Sequence, residues 1–327
     1  MKKSLLAIVI LILIFLIWWQ PLNFGKTEVT IPKGANGKTI ADYLAKHHIV
    51  RDVNEFLFCL KMSGKEKYLR PGIYELEKYK NPIYLINKLL HGGKSDIAVV
   101  IPEGLSVYET AEILATKALI DPEQFIILCG DKNFIHEIGL NVPSLEGYLF
   151  PDTYSFSTSQ SDTDIIRIFI ANFYDHIKKF NLENPDSMKK IIILASIVEK
   201  EAKYTDEKPV IANVFINRLK LHRPLESCAT VFYALRNEHR SSDLSRELQK
   251  TRLTERDLEF NSPYNTYLHI GLPPGPICSP GENSIQAVIL PSHVNYLYFV
   301  AKGDGRHYFS KTYQEHLFAK TRYHEAK

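Results

Sequence analysis

The chain of 327 residues lacks the spacings that build common metal and redox sites and the basic runs that bind nucleic acid. Its four cysteines, Cys59, Cys129, Cys228 and Cys278, form no C-x-x-C pair, which argues against a zinc or thioredoxin-like centre. Its 12 histidines include no H-E-x-x-H, since His136-Glu137 lacks the second histidine. No metal is therefore expected. Charge of one sign is equally scarce: 40 Lys+Arg against 37 Asp+Glu leave +3, without a long basic run, so nucleic acid is not an expected partner. The remaining composition, 45% apolar and 24% charged, is ordinary for folded protein and excludes wholesale disorder. The length suggests two domains.

Long apolar runs are scarce as well; the chain has one. Lys2 and Lys3 precede an unbroken stretch from Leu5 to Trp19, closed by Gln20 and Pro21. At a helical rise of about 1.5 Å per residue it reaches about 22 Å, enough to cross a locally thinned bilayer. No small-residue A-x-A site follows, which favours an uncleaved anchor over a signal peptide. The expectation is a cytoplasmic tail at 1–3, an anchor at 4–20 and the rest outside the membrane.

An internal repeat follows. Val29-Thr30-Ile31-Pro32-Lys33-Gly34 recurs as Val99-Val100-Ile101-Pro102-Glu103-Gly104, and Ala41, Leu44, Ala45 and Cys59 fall on Ala111, Leu114, Ala115 and Cys129. Each copy reads as a strand, a Pro-Gly turn and an amphipathic helix, giving a small duplicated β-α module over 21–140. Between the copies Arg70 to Leu76 alternates like a strand, and Asn81-Pro82 starts a helix that His91-Gly92-Gly93 stops. From Leu145 the texture shifts to aromatic turns, an apolar helix from about Ser187 to Ala202, a helix near Pro209 to Leu221 after the potential caps Thr205 and Asp206, and a stiff proline loop at 272–281. A strand at 296–301, a Gly-Asp-Gly turn and a strand at 307–309 follow. The fold class is α+β, with a second domain at 145–327.

Chemistry is suggested at the end of the apolar helix. Glu201 continues the stripe of Leu194, Ile197 and Val198, whereas Glu199 follows Ile192 and Ala195. A carboxyl on a packed apolar face loses hydration and keeps its proton nearer neutrality, as a general acid requires; alternatively, the helix has simply reached solvent. Asn213 and Asn217, four apart, either meet sugar hydroxyls or hold a neighbouring loop. Tyr148, Phe150, Tyr154, Tyr264 and Tyr267 are either platforms for pyranose rings or core.

Five stretches in order resemble the MltG (YceG-like) endolytic murein transglycosylase family. They are Leu145-Glu146-Gly147-Tyr148-Leu149-Phe150-Pro151-Asp152-Thr153-Tyr154, Ala195 to Glu201, Asn213 to Leu219, Tyr264-Asn265-Thr266-Tyr267 and Gly271 to Ile277. The resemblance implies that Glu201 is the catalytic residue. It also implies that Glu146, Tyr148, Asp152, Tyr154, Asn213, Asn217, Arg218, Thr230, Tyr264, Asn265 and Tyr267 serve substrate binding. It further implies a LysM-like character for the N-terminal module, a single-pass place in the bacterial cytoplasmic membrane with the enzyme outside, and glycan strands of peptidoglycan as substrate. Peptidoglycan synthases are implied partners, and no cofactor is. The product would be a 1,6-anhydromuramyl end. Competing readings are a hydrolytic muramidase with Glu146 or Glu226 activating water, a non-catalytic wall-binding scaffold, and a pyridoxal-phosphate lyase, for which no lysine context argues. In one place the chain departs from the family: relatives commonly read L-Q-[ST]-D-[PA]-T where it has Leu225-Glu226-Ser227-Cys228-Ala229-Thr230.

Overall fold

Alternation in Lys-Thr-Glu-Val-Thr-Ile sets the first strand, β1 (Lys26–Ile31), whose Val29 and Ile31 turn inward while their neighbours stay accessible. The computed structural model describes residues 25–93, 96–158, 160–182, 184–238 and 252–324; the expected anchor lies outside them. Among the described residues no helix is long and apolar enough to cross a membrane.

After β1 come α1 (Gly37–Lys46), α2 (Val53–Ser63), β2 (Gly72–Glu77) and α3 (Pro82–His91). Then β3 (Asp96–Ile101), α4 (Val107–Thr116), α5 (Pro122–Gly130), α6 (Lys132–Glu137), β4 (Asp152–Ser157) and α7 (Asp162–Ile177). The C-terminal part holds α8 (Pro185–Glu201), α9 (Lys208–Lys220), α10 (Cys228–Glu238), α11 (Glu255–Leu258), α12 (Glu282–Ile289), β5 (Tyr298–Ala301), β6 (His307–Ser310) and α13 (Tyr313–His324). Among the described residues the strands form three two-stranded sheets, β1-β2, β3-β4 and β5-β6. The α+β class read from the sequence holds.

The contacts divide the chain into two interleaved units. The first takes described residues from Met1–Val99, Ala111–Phe125 and Tyr154–Asp162, and the second from Val100–Thr110, Ile126–Thr153 and Thr163–Lys327. In the first, β1 and β2 run antiparallel with Val29 opposite Tyr74 and Ile31 opposite Gly72. Ile40, Leu44, Phe56, Leu60, Leu85 and Leu89 of three helices close over Val29, Ile31, Tyr74 and Leu76. Each such buried side chain stabilises the fold by roughly 1.5–3 kcal/mol. Lys33 Nζ donates to Asp162 Oδ1 at 2.7 Å and to the Gln160 carbonyl at 2.9 Å, and Asp162 also accepts from the Asp121 amide.

The repeat persists down to backbone detail. β3 and α4 start and stop 70 residues after β1 and α1. Both copies turn through a left-handed glycine, Gly34 (φ 78°) and Gly104 (φ 81°), and leave the helix through a left-handed residue, His48 (φ 57°) and Ala118 (φ 56°). The helices start alike: Asn36 caps α1 by accepting from the Thr39 amide, and Ser106 and Glu109 form a reciprocal capping pair at α4.

The second unit is organised by α8. Asn184 caps it and Pro185 opens it, two residues before the start read from the sequence. Residues Ile192 through Val198 are all buried, as a helix that is apolar all round requires. It packs against α9, α10 and α12. The potential caps Thr205 and Asp206 do not cap α9; they lie in a 3-10 turn, Thr205–Glu207, that runs into it.

Candidate active site

Two carboxylates leave the end of α8 for different surroundings. Glu199 is held on all sides: Lys208 Nζ stands 3.1 Å from Oε1, while the Gly281 amide (3.0 Å) and the Ser284 hydroxyl (2.6 Å) donate to Oε2. It is a structural anchor joining α8, α9 and α12.

Glu201, the last residue of α8, is partly buried and receives the Ser227 hydroxyl on Oε1 at 2.5 Å. Burial raises its proton affinity above the ordinary carboxyl range; the Ser227 hydroxyl, the His307 imidazole and the Ala229 N–H oppose this without overcoming it. The alternative of a helix merely reaching solvent does not describe this residue. The Ala229 amide belongs to the first turn of α10, where backbone N–H groups favour a negative charge.

The imidazole comes from the β5-β6 hairpin, where Ala301 pairs with His307. His307 Nδ1 lies 2.9 Å from Glu207 Oε2, and its own amide donates to Glu207 Oε1 at 3.1 Å. Glu207 is buried. Sequence reasoning missed Ser227, Glu207 and His307. The motif around Ser227 was the only signal available, and Glu207 and His307 are 100 residues apart.

Five of the expected binding residues, Arg218, Thr230, Asn265, Asn213 and Asn217, are committed to holding loops of the second unit. Arg218 is buried and donates to the carbonyls of Leu297 (2.7 Å), Leu225 (2.9 Å) and Pro224 (3.3 Å) and to Glu226 Oε2 (2.8 Å). Thr230 is fully buried; its hydroxyl donates to the Ser227 carbonyl at 2.8 Å and lies 2.9 Å from the Thr266 hydroxyl. With the Thr230 proton so committed, Thr266 donates to Thr230, and Thr266 Oγ1 in turn accepts from the Ser227 amide at 3.1 Å. Asn265, also fully buried, donates to the Leu258 and Phe260 carbonyls and accepts from the Tyr267 amide. Asn213 and Asn217 take the loop-holding alternative: Asn217 donates to the Val294 and Tyr296 carbonyls, and Asn213 accepts from the Val294 amide.

Of the aromatics, Tyr267 borders Glu201, whose charge helps burial and Cys228 to push the phenol pKa upward. Its hydroxyl is 3.1 Å from Cys228 Sγ. Tyr264 stands apart beside Tyr233, ring centroids 4.9 Å away, and burial followed by the charge of Glu146 raises its pKa. Glu146 is buried; it accepts from the Val107 amide at 3.1 Å and from the Tyr233 hydroxyl at 3.3 Å. Tyr148 lies in the core edge-on to Phe173, with no exposed surface to offer a sugar. Phe150 stacks on His176 at 4.2 Å. Asp152 binds Asn172 at the surface, and Tyr154 belongs to the first unit, stacked on Phe156.

The Glu146-Gly147-Tyr148 turn touches the proline loop closely. A Cβ at Gly147 would stand 2.5 Å from Pro276, in a backbone with φ 87°. Gly147→Ala is therefore expected to lower stability by about 2 kcal/mol or more, the sum of left-handed strain and a clash that a ring cannot yield to, as chemical denaturation would show.

The departures from the family pattern have structural counterparts. Glu226 adopts a left-handed backbone (φ 50°) and pairs with Arg218, while Cys228 is exposed. Because three carbonyls already satisfy Arg218 and the Glu226 side chain is 45% exposed, Glu226→Gln is expected to change stability by less than about 1 kcal/mol in thermal melts. All four cysteines are free. Among the described residues, no cluster of three His, Cys, Asp or Glu side chains could hold a metal ion.

Residues 29–322 match the model of the YceG-like family. A Bacillus subtilis (strain 168) protein named endolytic murein transglycosylase is 32% identical over 319 residues, spanning 92% of this chain and 85% of its own. A Streptococcus pneumoniae (serotype 2, strain D39) protein of the same name is 29% identical over 88% of this chain, which spans 56% of that longer relative. A crystal structure of a yceG-like protein from Listeria monocytogenes aligns with a TM-score of 0.59 at 31% identity, over 90% of this chain and 98% of its own.

Proposed function

Because the chain belongs to the YceG-like family, we propose that it is a peptidoglycan lytic transglycosylase, with Glu201 acting first as acid and then as base. The observation that carries the reading is a carboxyl raised in proton affinity by burial yet served by donors ready for its ionised form. Protonated Glu201 gives its proton to the oxygen between N-acetylmuramic acid and N-acetylglucosamine as the C1–O bond breaks with oxocarbenium character. The carboxylate left behind is stabilised by Ser227, the Ala229 N–H and His307. It then takes the proton of the C6 hydroxyl of the same muramyl sugar as that oxygen bonds to C1. No water is consumed, and one carboxylate serves both halves.

The apolar run from Leu5 to Trp19 behind two lysines supports a place at the cytoplasmic membrane with the enzyme outside. There it would cut within new glycan strands and work beside the synthases, and the duplicated module would act as a LysM-like wall contact.

Purified sacculi digested with the full chain should yield muramyl ends lighter by one water than reducing ends, as read by mass spectrometry. Reducing ends would instead establish a hydrolytic muramidase, and no new ends at all a scaffold; either result overturns the proposal. The rate should also depend on pH with a definite sign. The acid form is needed, so kcat/KM is held below the raised pKa of Glu201 and falls as pH rises through it.

A further inference from the structure

We infer that Ser227 is a positioning residue for Glu201: by donating to Oε1 it leaves Oε2 to carry the transferable proton. The inference rests on the acid-base reading of Glu201 given above.

A hydroxyl has one proton, and that of Ser227 is given to Glu201 at 2.5 Å. With Ser227 donating, Oε1 is the acceptor, and in the neutral carboxyl the proton then resides on the other oxygen. The same donor is in place for the charge that proton transfer creates, without reorientation during the reaction. Ser227 is 2% exposed, so water does not compete for the hydroxyl.

The main chain around it is pinned on both sides. Its N–H donates to Thr266 Oγ1, and its carbonyl receives the Thr230 hydroxyl and, at 3.3 Å, the Thr230 amide. The Thr266 hydroxyl donates to Thr230 and closes the circuit. One residue earlier, the Glu226 amide donates to the Thr266 carbonyl, and Glu226 itself adopts a left-handed backbone. Arg218 holds the Pro224 and Leu225 carbonyls. A serine that only filled space would need none of this bracing.

Other charged and titratable groups face Glu201 or its helix. His307 on β6 is tied to Glu207, and Cys228 on α10 is tied to Tyr267. From α9, Lys208 pairs with Glu199 and also lies 3.7 Å from Glu103, and from α12, Glu282 pairs with Lys179. The test must therefore separate Glu201 from His307, the imidazole whose charge acts on it.

The full chain carrying Ser227→Ala or Ser227→Thr would be assayed on isolated sacculi for kcat, KM and pH profile. Ser227→Ala is expected to lower kcat by about 10- to 100-fold with KM within about twofold. The alkaline limb of kcat/KM should move upward by about one pH unit, because the carboxylate has lost a donor. Ser227→Thr, which keeps the hydroxyl, should restore most of the rate and the limb. The same displacement should appear in a His307→Asn background, which assigns the limb to Glu201. Should Ser227→Ala melt far below the parent, Ser227→Cys replaces it with a weaker donor of similar size and the limb is read there.

An unchanged kcat, or a reduced rate with an unmoved limb, overturns the inference. If Glu201→Gln remained active, the acid-base reading itself would fail; with Glu201→Gln inactive and Ser227→Ala normal, only the role of Ser227 would fall.

Discussion

Glu201→Gln is expected to reduce glycan cleavage by about a thousandfold or more while leaving the protein folded, because one side chain both gives and takes the proton. Glutamine keeps the shape and an acceptor for the Ser227 hydroxyl, so lost activity would report lost acidity. The variant should also be no less stable than the parent at neutral pH, for a reason that can be checked by sign. Burial raises the proton affinity of Glu201 above its unfolded value. Its contribution to stability is therefore fully present below the ordinary carboxyl pKa and is lost as pH rises through the folded value. Glutamine carries no such loss, so the melting temperature of the variant relative to the parent should rise from acid to neutral pH. A variant that cut sacculi at the parental rate, or that melted progressively lower than the parent as pH rose, would contradict this account.

Lys208→Met should produce the largest change in stability. Lys208 and Glu199 are 5% and 9% exposed, and removing the cation leaves a buried carboxylate without its counter-charge. Breaking such a pair typically costs about 3–5 kcal/mol, which in a domain of this size corresponds to a fall of roughly 10 °C in melting temperature. Adding Glu199→Gln should recover a large part of that loss, since the amide oxygen still accepts from Gly281 and Ser284 without a charge to bury. A single variant melting within about 2 °C of the parent would show that the pair carries little. Lys208 sits at the start of α9, so the same experiment reads how firmly that helix is held to α8 and α12.

Much of this architecture was legible because it is written in local periodicity. The apolar run 191–198 announced a helix buried all round, and the stripe through Leu194, Ile197 and Val198 singled out Glu201 before any contact was known. The copied Pro-Gly turns foretold matching strands and helices, down to Gly34 and Gly104. The roles of the polar residues were less legible. Asn213 and Asn217 share a helical face, but only the folded position of Val294 and Tyr296 decides that their amides hold a loop. Ser227 reaches Glu201 across 26 positions of sequence, and no spacing rule connects them. Tyr148 and Tyr267 look alike in a motif; packing sends the first against Phe173 and leaves the second beside Cys228. Residue type advertises a hydrogen bond, and long-range packing chooses the partner.

The duplicated strands carry a hazard for chain assembly. β1 and β3 carry the same residues at two of six corresponding positions, Val29/Val99 and Ile31/Ile101, yet β1 must find Gly72–Glu77 and β3 must find Asp152–Ser157. Order of synthesis resolves the ambiguity. β2 ends at Glu77, before the first residue of β3 at Asp96, so a chain emerging from the ribosome can complete one ribbon before its look-alike exists. Dilution from denaturant offers both strands at once, and cross-pairing would then compete with the native arrangement in a way that vectorial folding avoids.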